Sequence, residues 1–183
     1  MTRHLTRASY TEMPWANGRG TTIEVLRKDS VAGLLWRFSM ATVAEDGPFS
    51  KFLDIERNLT VIDGPGFDLF GGIGFRADPF RPVAFPGDIA VSARNVTGIA
   101  VDFNVMTRRN LPKPVVEVLQ NTVITRRPGS TLCLFALGQS RYGPTDLARH
   151  DFLFAAKSDA ISGSAVLAIH LFETPEPVES RHS

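Results

Sequence analysis

Side chains that could bind a small charged molecule alternate with apolar ones along two segments of the sequence, 34–43 and 99–106. These candidate ligand-binding residues are Arg37, Ser39, Asp102, Asn104 and Met106. Because successive side chains of a β-strand point to opposite faces, each segment would present one apolar and one mostly polar face. A solvated outer surface explains such polar faces. The mouth of a small barrel, where a few polar groups orient a ligand in an apolar cup, explains them equally well.

Arginine is the side chain best suited to a carboxylate, because its planar guanidinium can donate two parallel hydrogen bonds to the two oxygens. Besides Arg37, the sequence places Arg57 and Arg108 beside apolar strands, and we predict that they also bind the ligand. The acidic residues Glu24 and Asp102 have two interpretations. They could contact a ligand, or one of them could form a salt bridge with Arg37 or Arg57.

The segment PWANGRGTTIEV, residues 14–25, combines two glycines with several hydrogen-bonding side chains. A phosphate-binding loop would require a helix directly after the glycines, and a β-branched run follows instead. We therefore interpret Gly18 and Gly20 as a bend between strands that brings the chain close to a barrel mouth. Asn17 and Thr21 would then offer neutral donors and acceptors to the ligand.

The four histidines, His4, His150, His170 and His182, are far apart in the sequence, and two of them lie near the termini. Small β-barrels that bind a metal ion through histidine typically use a His-x-His pair, a nearby Glu and a later His. We therefore predict that the protein holds no metal or other cofactor, which excludes dioxygenase and metal-dependent isomerase chemistry.

The composition is that of an ordinary soluble globular protein: 183 residues, 43% hydrophobic, 21% charged, with a net charge of +1. This charge balance predicts no nucleic-acid partner. The first residues, MTRHLTRASYTEM, lack the apolar region of a secretory signal, and no apolar stretch is as long as a membrane span. We therefore expect a cytoplasmic protein with no membrane partner. The single cysteine, Cys133, is expected to be a small buried hydrophobic residue.

Short apolar or alternating runs separated by Gly, Pro and Asp turns indicate an all-β sandwich or barrel. The predicted strands are Thr22–Arg27, Leu34–Val43, Leu59–Asp63, Phe67–Phe70, Ile89–Ala93, Ile99–Met106, Val115–Leu119, Thr131–Leu137, Phe152–Ala155 and Ala165–Phe172. A single helical turn is predicted at Thr145–Arg149, and an extended, loosely held tail is predicted after Glu173.

A weak internal repeat indicates duplication of a β-lobe. Residues 86–91 resemble 149–154, and residues 98–105 resemble 163–170, at separations of 63 and 65 residues. We therefore predict two lobes, 1–109 and 110–183. In this alignment Asp102 and Asn104 correspond to Leu167 and Ile169, so we expect only the first lobe to bind a ligand and the second to be structural.

Three ordered segments resemble the signature segments of a known family. They are PWANGRGTTIEV, WRFSMATVAEDGPFSKFLDIERNLTVIDG and VDFNVMTRR. With several matched polar positions, they are similar to the HutD/Ves family, small bacterial bicupins that are often encoded beside histidine-utilisation genes. The resemblance covers about Tyr10 to Arg109 well and the second half loosely. Ala16 and Arg19 stand where relatives more often have Lys and Gly.

The resemblance implies an all-β bicupin, two small barrel or jelly-roll lobes packed in one chain. It also implies a regulatory role in histidine utilisation, with a small carboxylate such as formylglutamate or urocanate as the ligand. Two alternatives stay open: a metal-independent enzyme acting on a histidine-pathway intermediate or a sugar, and a structural module with a solvated barrel mouth. The sequence leaves a homodimer open.

Overall fold

A computed structural model describes residues 3–14 and 20–173 of the protein. Asn17, the predicted bend at residues 18–20 apart from Gly20, and the predicted tail after Glu173 lie outside the described residues. The described part is almost entirely β-structure, with one short 3-10 helix at Arg7–Ser9.

The first eleven strands are β1 Arg3–Leu5, β2 Thr11–Pro14, β3 Thr21–Ser30, β4 Gly33–Val43, β5 Gly47–Pro48, β6 Ile55–Asp63, β7 Phe67–Gly71, β8 Gly74–Ala77, β9 Val83–Pro86, β10 Val91–Arg94 and β11 Ala100–Arg108. The remaining strands are β12 Val115–Leu119, β13 Thr122–Ile124, β14 Thr131–Ala136, β15 Ser140–Tyr142, β16 Thr145–Leu147, β17 Phe152–Ala155, β18 Asp159–Gly163 and β19 Val166–Leu171. All ten predicted strands are present, two with the predicted ends (β12 and β17) and eight with shifted ends, but the shorter strands were not predicted.

Each half of the chain contains one large and one small antiparallel sheet. In the first half, the large sheet has the order β2-β3-β4-β11-β6-β9 and the small one β5-β10-β7-β8. In the second half, the orders are β1-β17-β14-β19-β12 and β13-β18-β15-β16. If β4 is matched with β12 and each following strand with its successor, the small sheets have the same order. The large sheets share four matched strands, so the fold is a two-lobe cupin, as expected.

Each lobe has its own apolar interior. In the first lobe, Leu59, Val61, Phe67 and Ala100 are fully buried between the two sheets. In the second lobe, the corresponding interior contains the fully buried Leu132, Leu134, Val166 and Ala168. Because side chains alternate along a strand, the opposite face of each large sheet is free to pack elsewhere.

The two large sheets pack against each other through these opposite faces. Phe38 of the first lobe lies 4.9 Å from Phe152 of the second, measured between ring centroids, and Phe103 lies 4.2 Å from Phe135. Cys133 is fully buried in the same cluster, as expected. The lobes therefore share a third apolar core, between them, that is formed by aromatic side chains from both.

The N-terminal strand belongs to the sheet of the second lobe. Strand β1 pairs with β17, and His4 contacts Asp151 at 2.7 Å, whereas β2 pairs with β3 in the first lobe. The predicted boundaries, which assigned residues 1–109 to the first lobe, are wrong for this strand. Pairing between distant strands leaves no local trace in the sequence.

Two further sequence predictions are wrong. Residues Thr145–Leu147 form an edge strand instead of a helical turn, because they pair with β15. In the matched topology, β17 corresponds to β9 and not to residues 86–91. The first part of the repeat was therefore aligned to the wrong segment.

The alignment of the last strand of each lobe was wrong by one residue. Leu167 and Ile169 pack in the core between the lobes, whereas the neighbouring Val166 and Ala168 face the interior of the second lobe. Because a strand has a side-chain period of two, a shift of one residue moves every side chain to the other face. Leu167 and Ile169 are therefore not the counterparts of Asp102 and Asn104.

Candidate functional site

The first lobe contains a cavity of about 450 Å³ that opens between its sheets. Strands β3, β4, β6 and β11 supply most of its polar wall, and the segment between β5 and β6 covers one side. The polar lining side chains are Thr22, Arg37, Ser39, Ser50, Arg57 and Asn104. Arg37, Ser39 and Asn104 thus line the mouth of a barrel, which was one of the two interpretations of their alternation.

Strand pairing arranges the site residues in rows across β4, β11 and β6. Met106 pairs with Arg37 on one side and with Arg57 on the other, so both arginines lie level with it. The next row inward contains Ser39 and Asn104. The row beyond them contains Ala41, the fully buried Asp102 and Val61, so one acidic side chain lies deeper than Asn104, at the edge of the apolar interior of the lobe.

Arg57 is a buried cation, and no carboxylate of residues 3–14 or 20–173 is in direct contact with it. One terminal nitrogen, Nη2, donates to Asn104 Oδ1 at 2.7 Å, and the other, Nη1, reaches the Ser50 carbonyl at 3.5 Å. Its Nε is buried and has no hydrogen-bond partner among the described residues. Burial and the like charge of Arg37 lower the pKa of Arg57 to about 10, against the effect of Asp102, so the guanidinium stays protonated at neutral pH.

Three aromatic rings hold the guanidinium of Arg57 in place. Its central carbon lies 5.2 Å from the ring centroid of Phe49, 5.6 Å from that of Phe52 and 5.2 Å from that of Phe85. The negative faces of aromatic rings attract a cation, and the attraction is stronger where water is excluded. The rings therefore compensate part of the cost of burying this charge and fix its position beside the cavity.

Asn104 connects Arg57 to the fully buried Asp102. While its Oδ1 accepts from Arg57, its Nδ2 donates a short hydrogen bond to Asp102 Oδ1. Asp102 Oδ2 has no hydrogen-bond partner among the described residues. Burial raises the pKa of Asp102 to about 7, against the opposing effects of Arg57 and Asn104. At neutral pH, therefore, Asp102 is only partly ionised and does not fully balance the charge of Arg57.

Arg37, on the opposite side of the cavity, is paired. Its Nε donates to Glu24 Oε2 at 2.7 Å, and both side chains are mostly buried. This is the salt bridge that the sequence left open for Glu24. Among the described residues, the terminal nitrogens of Arg37 make no hydrogen bond, and the side chain lines the cavity.

The segment that covers the cavity is tied to the barrel by backbone hydrogen bonds. Phe52 N–H donates to the Gly87 carbonyl at 2.8 Å, and Gly87 N–H donates to the Ile55 carbonyl at 2.7 Å. Phe49 N–H donates to the Val91 carbonyl at 2.9 Å. The cover therefore depends on close backbone contact at Gly87.

Of the ten predicted ligand-binding residues, five line the cavity: Arg37, Ser39, Arg57, Asn104 and Met106. Glu24 and Asp102 contact these residues, and Asn17 lies outside the described part of the chain. Two predicted residues, Thr21 and Arg108, do not line the cavity. Thr22 lines it instead of Thr21, because neighbouring side chains of a strand point to opposite faces. Arg108 lies two residues after Met106 on β11 and lines a separate shallow depression beside Leu53.

The aromatic residues around Arg57 were not predicted from the sequence. Phe49 and Phe52 follow a turn, and Phe85 lies on β9, so all three reach Arg57 through tertiary contacts. Periodicity carries no information on such contacts. The available signal was compositional, since GPFSKF places two aromatic residues in a segment that is otherwise a loop.

Many cupins hold a metal ion, but the residues of this cavity do not fit one. Its polar lining consists of two guanidiniums, hydroxyls and an amide, which do not make a ligand set for a divalent transition metal. Among residues 3–14 and 20–173, no three His, Cys, Asp or Glu side chains are grouped so that they could hold a metal. Nor do these residues form a helix that is long and apolar enough to cross a membrane.

The model of the HutD family matches residues 7–170, which is most of the sequence. The chain belongs to the HutD family. Its relatives include a 21.2 kDa protein in the hutC 3' region of Pseudomonas putida, 34% identical over 131 residues that cover 69% of each chain. Protein Ves of Cronobacter sakazakii is 35% identical over 116 residues, which cover 62% of this chain and 64% of Ves.

A solved structure of this HutD family has the same fold. HutD from Pseudomonas fluorescens SBW25, described under a formate condition, superimposes with a TM-score of 0.82 at 30% sequence identity. The match covers 94% of this chain and 98% of the P. fluorescens protein. Both lobes therefore belong to the shared HutD fold, including the second lobe, in which the sequence resemblance was loose.

Proposed function

We propose that this protein binds a small carboxylate in the cavity of the first lobe, with Arg57 as the central anchor. The observation that carries the proposal is the charge of Arg57, which is buried and protonated but has no ionised group in direct contact among the described residues. A buried charge is costly unless it is paired. A ligand carboxylate beside Arg57 and Arg37 would supply the missing negative charge.

The shape of the site supports a small ligand. The cavity of about 450 Å³ is at the lower end of the range for small-molecule pockets. The cover formed by Phe49 and Phe52 restricts its opening, and Ser39 and Asn104 offer hydrogen bonds to neutral parts of the ligand. Glu24 serves in this proposal to orient Arg37, and Asp102 to orient Asn104.

The proposed biological role is the regulation of histidine utilisation in the cytoplasm. The hutC region that gives the P. putida relative its name supports this role, as does membership of the HutD family. Formylglutamate and urocanate are the proposed ligands, because each carries a carboxylate and each is an intermediate of that pathway.

Thermal unfolding with a panel of compounds tests the proposal. Formate, urocanate and formylglutamate should each be compared with a neutral amide of matched size. A ligand that binds only the folded state raises the melting temperature, and the increase grows with the logarithm of the ligand concentration once this exceeds Kd. We expect stabilisation by at least one carboxylate and none by its amide, and recovery of the compound unchanged would separate binding from turnover.

The matched variants are Arg57→Met and Arg76→Met. Loss of a charge-assisted contact costs about 1.5–3 kcal/mol, which corresponds to roughly ten- to a hundredfold in affinity. Arg57→Met should remove the stabilisation by the ligand. The variant should stay folded, because the methionine side chain can pack among the phenylalanine rings. Arg76→Met changes an exposed arginine that pairs with Asp68 on the small sheet and should leave binding intact. If no carboxylate stabilises the wild-type protein, the proposal is wrong.

A further inference from the structure

His170 on β19 occupies the position in the second lobe that Asn104 occupies in the first. Both are the fifth residue of the last strand of their lobe, and these strands, β11 and β19, are matched in the topology of the two large sheets. Val166 and Ala168 share the face of His170, which is the interior face of the second lobe. The residue that replaces Asn104 is thus a polar side chain, not the apolar Ile169 that the sequence alignment gave.

The hydrogen bonds of His170 fix which nitrogen carries the proton. The side chain is almost completely buried, and the backbone N–H of Arg127 donates to its Nδ1 at 3.3 Å. Burial and the charge of Arg127 lower the pKa of His170, so the ring is neutral at pH 7. A neutral ring whose Nδ1 accepts a hydrogen bond must carry its hydrogen on Nε2.

The Nε2 edge of His170 is available to a ligand. Nε2 makes no hydrogen bond to any residue that the structure describes, and His170 lines a cavity of about 340 Å³ in the second lobe. Arg127 and Ser130 contact the ring through Nδ1, which leaves Nε2 as the ring nitrogen that is available to a ligand in this cavity. A protonated Nε2 cannot bind a metal ion, but it can donate to an oxygen atom.

The charged residues around this cavity favour an anion. Arg126 and Arg127 both line it, together with Glu117. Glu117 pairs with Arg127 Nη2 at 3.2 Å, so two guanidiniums are balanced by one carboxylate. Arg127 and Glu117 are about half exposed and lie at the rim, whereas His170 lies at the base.

We propose that the second lobe holds a separate binding site for a small oxyanion, a carboxylate or a phosphate, in which His170 Nε2 donates at the base and Arg127 supplies charge at the rim. This site lies outside the first-lobe cavity, so it does not depend on the proposed function. The second lobe is then a ligand-binding lobe in its own right.

Imidazole NMR of the full chain tests this site directly. The ¹⁵N-labelled protein would be titrated at neutral pH with acetate and, separately, with inorganic phosphate, while the Nε2–H signal of His170 is followed. The titration would be repeated in Asn104→Leu, which alters the first-lobe cavity. We expect a saturable downfield shift with one of the two anions, because Nε2–H gains an acceptor, and the same shift in Asn104→Leu.

Arg127→Met and Arg141→Met are the matched pair. Arg127→Met retains His170 and the backbone N–H that donates to its Nδ1, and it should weaken anion binding at least about tenfold, since it removes a charge-assisted contact. Arg141 is an exposed arginine elsewhere in the second lobe, paired with Asp146, and its replacement should have no effect. Saturation by acetate would assign a carboxylate site, and saturation by phosphate a phosphate site. A His170 signal that fails to saturate with either anion, or an equal effect of the two variants, would overturn the proposal.

Discussion

At the scale of single residues, the chain from Arg57 through Asn104 to Asp102 determines the charge of the first-lobe site. Asn104 is the only link among them that contacts both charged groups, and it uses both ends of its amide to do so. A protonated Asp102 leaves Arg57 free to attract an anion. An ionised Asp102 competes with that anion for the same positive charge.

The buried carboxyl should make stability depend on pH. In the unfolded chain Asp102 ionises near its ordinary pKa of 3.8, whereas in the folded protein it does so at about 7. Between these values the folded state binds the extra proton, so the free energy of unfolding falls as pH rises from about 4 to about 7. Asp102→Asn removes this loss and should raise the melting temperature at about pH 8 while changing it little at about pH 4.

Melting curves of both proteins across this range measure the effect. One pKa unit corresponds to about 1.4 kcal/mol, so the difference at high pH is a few kcal/mol at most. Asp63→Asn is the control, because Arg149 lowers the pKa of this exposed carboxyl and its loss acts in the opposite direction. An effect of Asp102→Asn that is the same at both pH values would contradict the role given to Asp102.

The sequence predicted the residues of this site only in part. The alternation of Arg37 with Trp36 and Phe38 placed the arginine on the polar face, because a strand period of two is a local property. The three phenylalanine rings around Arg57 depend on contacts between strands, and no local pattern encodes them. That Glu24 pairs with Arg37 was one of two readings, and the side-chain geometry was needed to decide.

At the scale of elements, the cover of the cavity depends on one close backbone approach. A Cβ atom at Gly87 would lie 2.8 Å from the Ile55 carbonyl oxygen, 3.0 Å from that of Phe52 and 3.4 Å from Arg57 Cγ. The first two neighbours are backbone atoms, which cannot move without displacing the strand or the cover. The absence of a side chain at Gly87 therefore allows the segment 49–52 and β6 to approach the backbone of residue 87 closely.

Gly87→Ala should consequently destabilise the protein and weaken ligand binding together. Overpacking of this kind costs about 1–3 kcal/mol. The matched control is Gly74→Ala, because a Cβ there meets no atom within 4 Å. Denaturation and ligand titration of both variants provide the measurement. A Gly87→Ala protein that binds as well as Gly74→Ala would show that the cover does not position Arg57.

The strands themselves were predicted well where they are long and apolar, and poorly where they are short. Strands β15 and β16 have three residues each, so their pattern is too short to show a period. The repeat was aligned on Gly98 and Gly163, but the strands that follow begin at Ala100 and Val166. That difference of one residue assigned the side chains of β19 to the wrong faces of the sheet, so His170 was not recognised as the counterpart of Asn104.

At the scale of the whole molecule, the lobes are joined by a shared aromatic core and by the N-terminal segment. Besides the pairing of β1 with β17, Tyr10 donates to the His150 carbonyl at 2.7 Å, and Arg149 pairs with Asp63 at 2.8 Å. Since Phe38 and Phe152 pack across the boundary, neither lobe can lose its structure without exposing apolar surface of the other. We therefore expect the lobes to unfold together.

Leu167→Asn tests this coupling, because Leu167 is fully buried in the core between the lobes. The variant loses apolar burial and leaves an amide without a partner, which together cost about 3–5 kcal/mol. Chemical denaturation should show one transition at a lower midpoint. Two separate transitions, or a midpoint equal to that of the wild-type protein, would show that the lobes are independent.

The most direct test of the central claim is the position of the ligand in the first lobe. Crystals grown with formylglutamate, and others grown with urocanate, would be examined for density in the cavity lined by Arg37 and Arg57. The account predicts a carboxylate whose oxygen lies about 3 Å from a guanidinium nitrogen of Arg57. Ligand density elsewhere on the protein, with only water beside Arg57, would contradict it.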